Sequence, residues 1–178
     1  MPNFFPFMRF LNFILISVFF FSCAEEKKPP KKKLTKAEVE YLSKEMNAWD
    51  KIKEKDEINQ YIKAHGYTMT ETASGLRYMT IKKADGPKPQ PGKVVKVNYK
   101  IYLLDGTVLY TSGKEGAEFV VEKDYVERGL HEGIQLMHTG ETMRFILPSH
   151  LAHGLTGDNA KIPPLTSVVY EVELLEIK

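Results

Sequence analysis

The sequence predicts an α+β fold: an antiparallel, twisted β-sheet wrapped on one short helix over residues 75–178, preceded by an N-terminal helical arm over residues 35–66. Three observations predict it. Residues 93–104 alternate, with Val95, Val97, Tyr99 and Ile101 on one face and Lys96, Asn98 and Lys100 on the other, which is the period of a half-buried strand. Asp105-Gly106 follows at once, a hairpin signal because glycine accepts the positive φ that such tight turns demand. Leu130, Ile134 and Met137 then recur at helical spacing.

The front of the chain carries an address. Residues 10–21 are an almost unbroken apolar run, interrupted by Asn12 and Ser17 and preceded by Arg9. A positive flank, a short apolar core and a small residue make the pattern of a secretory signal, here residues 1–22. As a helix the run rises only ~18 Å, short of a bilayer core of ~30 Å. Cys23 comes next and is the only cysteine, so no intramolecular disulfide is possible. Its placement after Ser22 resembles the lipobox of bacterial lipoproteins, whose cysteine is lipidated and becomes the N-terminus. That pattern prefers Leu three residues before the cysteine, where this chain has Phe20. Lipid chains at Cys23 would hold the protein to a membrane at ~0.8 kcal/mol per buried CH₂. Residues 23–34 then form a Lys/Pro-rich tether, with five lysines and Pro29-Pro30 between positions 24 and 33, too poor in apolar surface to fold.

The arm opens on Thr35 with Glu38 three residues later, a capping box. Val39, Leu42, Met46 and Trp49 make one apolar stripe. A charged stretch over residues 51–57 interrupts it, and Ile58, Tyr61 and Ile62 resume it before Gly66. Spacing leaves open whether this is one bent helix or two. Packing on the chain's own domain is the expected role, with homodimerisation through the arm as the alternative, since two heptads are short for a stable coiled coil.

In the globular half, residues 75–83 read as the first strand. Turn chemistry follows over residues 85–92, then the hairpin of residues 93–111 and a short strand at residues 119–121. The helix is expected over residues 129–137, with strands over residues 142–147 and 167–177 completing the sheet. One solvated sheet face and one helix imply two layers.

Several function classes are disfavoured. A formal charge of +2 gives no reason to expect a nucleic-acid partner. His150 and His153 could share a face, with His131 and His138 nearby. Without a cysteine or acidic ligand at motif spacing, surface histidines are expected rather than a metal site. No cofactor motif is present in the sequence.

Four segments occur in order: VNYKIYLLDGTVLYTS, VERGLHEGIQLM, TGETMRFILP and IPPLTSVVYEVELL. Together they resemble the FKBP-type peptidyl-prolyl isomerases over roughly residues 75–178. The resemblance implies a pocket of aromatic and aliphatic side chains that takes Xaa-Pro segments of polypeptide clients, without a cofactor. Tyr99 matches the family tyrosine of the first segment. Leu109 stands where the family has an aromatic over the proline ring, and Tyr110 where it usually has Asp. Val126 and Glu127 match the pair whose backbone holds the peptide, so the change from Ile to Glu at the second position is expected to be harmless. Leu130 replaces the tryptophan that floors the pocket in many members. His153 replaces a tyrosine whose hydroxyl bonds a substrate carbonyl. Ile162 matches the residue closing the rim, and Tyr170 a Phe on the last strand.

The resemblance therefore implies an isomerase of reduced activity that assists folding of envelope or secreted proteins, anchored at the outer membrane or the periplasmic face of a bacterial envelope. The alternative is a lipid-anchored binding or chaperone module whose pocket is degenerate.

Overall fold

Helix α1 spans Lys36–Ala64 without interruption, and Thr35 stands before its first residue, where the capping box puts the N-cap. The charged stretch does not split it, because Lys and Glu are themselves good helix formers. The helix ends at Gly66: the Gly66 N–H donates to Lys63 O at 3.1 Å and the Tyr67 N–H to Ile62 O at 3.0 Å, a Schellman closure. The structure, a computed structural model, describes residues 35–178. The expected signal, Cys23 and the tether lie outside the described residues, as do the side chains of Val39, Leu42, Met46 and Trp49.

Seven strands follow: β1 (Thr70–Glu71), β2 (Arg77–Lys82), β3 (Val94–Leu103), β4 (Val108–Thr111), β5 (Ala117–Val120), β6 (Thr142–Leu147) and β7 (Val168–Ile177). Helix α2 (Arg128–Leu136) lies between β5 and β6, and a single 3₁₀ turn (Ser149–Leu151) follows β6. The sheet order is β1-β2-β6-β7-β3-β4, all pairs antiparallel. Long β3 serves two partners on its outer edge: Val94–Val97 pair with β5, and Lys100–Tyr102 with β4. The sequence missed β1, since two residues carry no period. It is held by the Glu71–Arg77 ion pair at 2.6 Å.

The hydrophobic pattern of β6 and β7 sorts side chains to two faces. Met143, Phe145 and Leu147, with Val168, Tyr170, Val172 and Leu174, join the main core under α2. Ile146 and Val169 point the other way and meet Ile58 and Tyr61 of α1. The expectation of two layers with one solvated face is thus corrected: the end of the arm covers part of the second face. Fully burying side chains of this size contributes ~1.5–3 kcal/mol each, reason enough for the arm to dock.

Helix α2 approaches β6 closely because its inner face carries glycines. A Cβ on Gly129 would lie 2.6 Å from Leu147 Cγ, and one on Gly133 2.9 Å from Phe145 Cε1. Leu130, Ile134 and Met137 are buried between them, as the stripe predicts.

Candidate active site

The candidate residues come from separate elements. Tyr99 sits on β3, Leu109 and Tyr110 on β4, and Tyr170 on β7. Val126 and Glu127 end the loop before α2, Leu130 lies in its first turn, and His153 and Ile162 lie on the segment between β6 and β7. Tyr170, Ile162, Leu130 and Leu109 are only 1, 3, 5 and 7% exposed and belong to the main core, so the apolar floor is closely packed. Tyr99, Tyr110, Val126, Glu127 and His153 are half-buried. The Tyr99 and Tyr170 rings lie 6.4 Å apart, tilted by 44°.

The loop before α2 is fixed by a buried histidine. The His131 Nδ1 accepts the Glu122 N–H at 3.0 Å, which leaves Nε2–H to donate to Asp124 O at 3.1 Å. His131 is thus not a surface residue, as the sequence reading held: it fastens the segment that delivers Val126 and Glu127. The other histidines are dispersed. His138 reaches Gly86 O at 2.7 Å and His150 reaches Ser74 O at 3.0 Å. Among the described residues no group of three His, Cys, Asp or Glu gathers as a metal site requires.

Glu127 departs from expectation. The sequence reading gave it a backbone role only, but its side chain enters the site. Its Oε1 accepts from His153 Nε2 at 2.9 Å, and its carboxylate also meets the Tyr170 hydroxyl. Burial, then the Glu127 charge and hydrogen bond, push the Tyr170 phenol well above its ordinary pKa. The phenol therefore stays protonated and donates. Residues 127, 153 and 170 are therefore coupled through the Glu127 carboxylate.

A second polar group closes the other side. The Tyr110 hydroxyl donates to Asp158 Oδ2. Asp158 Oδ1 accepts the N–H groups of Ala160 and Ile162, both at 2.8 Å. Desolvation alone would raise the Asp158 pKa, but the Tyr110 hydroxyl and these backbone donors outweigh it and hold the carboxyl at about 2. The same bond with Asp158, followed by burial, raises the Tyr110 phenol. Lys161 Nζ donates to Leu109 O at 2.8 Å and lies 4.9 Å from the Tyr110 ring centroid, pinning the segment to β4. Gly157 makes the fold of this loop possible, since a Cβ there would lie 2.1 Å from Ile162 O. The sequence reading missed Asp158 and Lys161. The run Thr156-Gly157-Asp158-Asn159 is a turn signal in which Asp takes backbone N–H groups two residues on, but nothing local points that turn at Tyr110.

Chemically, this arrangement offers an apolar floor, an aromatic rim and hydrogen-bonding groups already engaged with one another. It holds no free nucleophile or acid–base pair aimed at a substrate atom. It suits a process driven by binding one conformation of a chain.

Comparison with known proteins gives the same direction. Residues 86–175 match the family described as FKBP-type peptidyl-prolyl cis-trans isomerase, and these residues are half of the chain. The chain is 34% identical over 144 residues to the FKBP-type peptidyl-prolyl cis-trans isomerase FkpA of Aeromonas hydrophila, covering 80% of this chain and 53% of that one. It is 38% identical over 122 residues to the FKBP-type 22 kDa peptidyl-prolyl cis-trans isomerase of Escherichia coli, covering 67% and 57%. The chain thus spans little more than half the length of these curated relatives. Among solved structures, a peptidyl-prolyl cis-trans isomerase of Pseudomonas syringae superposes with a TM-score of 0.60 at 28% identity, covering 67% of this chain and 90% of that one. FkpA from Escherichia coli superposes with a TM-score of 0.60 at 26% identity, covering 83% and 75%. A long β3 shared between two short strands, α2 on the inner face and a match across half the sequence agree: the chain belongs to the FKBP-type peptidyl-prolyl cis-trans isomerase family.

Proposed function

We propose that the protein is a peptidyl-prolyl cis-trans isomerase acting on Xaa-Pro bonds of envelope or secreted polypeptides, and that its turnover is reduced. The observation that carries this reading is the coincidence of the family match with a site whose floor is apolar and whose rim is aromatic. The mechanism asks little of the side chains. Rotation about a peptide bond faces a barrier of ~18–20 kcal/mol from amide resonance. In Xaa-Pro the two end states differ by only ~0.5–1 kcal/mol, so the barrier is the whole problem. Tyr99, Ile162 and Tyr170 would grip the proline ring, and any preference for the twisted amide over the planar one lowers the barrier, a decade in rate for every ~1.4 kcal/mol.

Reduced turnover follows from the substitutions. Leucines at positions 109 and 130 offer less contact than the family aromatics, ~1–2 kcal/mol of apolar contact at the Trp-to-Leu position alone. Tyr110 and His153, each able to donate a hydrogen bond, are already engaged with Asp158 and Glu127. That engagement also favours a second reading, a client-binding or chaperone module with a degenerate pocket. A protease-coupled assay of the purified chain on a panel of Xaa-Pro peptides separates the two. The isomerase reading expects rates above the uncatalysed rate but below those of relatives with Trp at the pocket floor. A folded protein with no turnover on any peptide leaves the binding module.

The finer setting is also a proposal. The signal pattern and Cys23 support export and lipid attachment in a bacterial envelope, at the outer membrane or the periplasmic face. No helix among the described residues is long and apolar enough to cross a membrane. The docking of Ile58 and Tyr61 supports an arm that packs on its own domain, with homodimerisation through the arm as the alternative.

A further inference from the structure

We propose that Glu54, on the arm helix, is a positioning residue for the isomerase site, a role that rests on the isomerase reading above. Its carboxylate ties together both ends of residues 149–167, the segment that carries His153, Asp158, Lys161 and Ile162 to the pocket. Glu54 Oε1 accepts the Ser149 N–H at 2.6 Å and the Ser167 hydroxyl at 2.7 Å, and Oε2 accepts the Ser149 hydroxyl at 3.2 Å. Both serines are buried. They stand just beyond the β6–β7 ladder, whose last recorded pair is Leu147 with Val168, so Glu54 sits where the two strands part.

The constraint passes onward through backbone hydrogen bonds. The Gly154 N–H donates to Ser149 O at 2.7 Å, and the Leu165 N–H to Gly154 O at 2.9 Å. These links reach the residue after His153 and cross to the far arm of the loop. Asp158 and Lys161 then fasten the tip to Tyr110 and Leu109. One carboxylate thus anchors the base of a loop whose tip forms the pocket rim.

Docking alone does not call for a carboxylate here. Glu54, Ile58 and Tyr61 follow one another at helical spacing on the face turned to the sheet, and the latter two are apolar contacts in the small core there. A leucine at 54 would extend that stripe. Glu54 is only half-buried, so burial alone does not account for the hydrogen bonds it makes. The three recorded here are all spent on the two ends of one loop.

The test compares Glu54→Ala with Glu54→Gln in the full chain. Gln keeps an oxygen for the Ser149 N–H and the Ser167 hydroxyl, and its amide can donate to Ser149 Oγ. Ala removes all three bonds. The expected result is a loss of about five-fold in kcat/KM on Xaa-Pro peptides for Ala, equivalent to about 1 kcal/mol, and near-wild-type activity for Gln. Amide hydrogen exchange should quicken within residues 149–167 of the Ala variant and stay unchanged in β3 and β7. If Ala fails to fold, Ser167→Ala removes one bond and should give a smaller loss, about two-fold, with the same localised exchange. Unchanged activity and unchanged loop exchange in a folded Ala variant overturn the proposal. So does exchange raised uniformly through the sheet, or equal losses in Gln and Ala. A wild-type chain with no turnover instead overturns the isomerase reading, and the positioning role of Glu54 with it.

Discussion

At the scale of single residues, the site is governed by pairs. Tyr110 with Asp158, and Tyr170 and His153 with Glu127, join side chains far apart in sequence, and each makes the other's burial affordable. Asp158 offers a direct check. Its carboxyl is held at about 2 in the folded protein, below the ~3.9 of an unperturbed Asp. A depressed carboxylate contributes stability that is fully present above the unfolded value and is lost as pH falls through the folded one. Its contribution to loop order should therefore be constant above pH ~4 and fade as pH falls toward ~2. Carbon-detected NMR should place the Asp158 midpoint near that low value in the wild type and higher in Tyr110→Phe. A wild-type midpoint near that of an ordinary aspartate would contradict the pairing. The sequence pointed to Tyr110, Glu127, His153 and Tyr170 but not to Asp158, and gave no reason to couple any of them. Position 127 looked harmless because a backbone contact survives any side chain, yet the side chain is what meets Tyr170.

At the scale of elements, the strands and α2 were legible because their patterns are long and periodic. The strand over residues 142–147 appears with those bounds, and α2 starts one residue before the expected 129. What periodicity could not convey is how closely two elements approach. Glycine is by propensity a poor helix former, yet in the fold Gly129 and Gly133 let α2 sit against Leu147 and Phe145. Gly129→Ala should therefore destabilise the protein despite raising helix propensity. Overpacking costs ~1–3 kcal/mol and the propensity gain returns at most ~1. Urea unfolding should show a net loss of ~1–2 kcal/mol on that balance. A stabilised variant would mean that the helix can move away from β6 freely. The arm gave a different lesson. Its charged middle looked like a break, but helix continuity depends on local propensity while the apolar stripe reports only on partners, so one continuous helix carries both.

At the scale of the whole molecule, the proposed address and the candidate site lie in opposite halves of the chain. If Cys23 is lipidated, Cys23→Ala should shift the protein from the membrane pellet to the soluble fraction or leave an uncleaved precursor. Mass spectrometry of the mature N-terminus should find it at Cys23 with acyl chains. An unmodified N-terminus elsewhere would remove the anchor while leaving the isomerase site untouched. The sequence by itself determined the fold class, the order of the main strands, the single inner helix and the family. Alternation, helical spacing, Asp105-Gly106 and the four ordered segments are local signals that need no knowledge of distant contacts. Only the tertiary structure decided that the end of the arm covers part of the second sheet face, that Glu54 spans the base of the 149–167 loop, and that Glu127 meets His153 and acts on Tyr170. These are meetings between segments many tens of residues apart. No local pattern encodes them, because a half-buried carboxylate reveals its role only through the donors that chain folding brings to it.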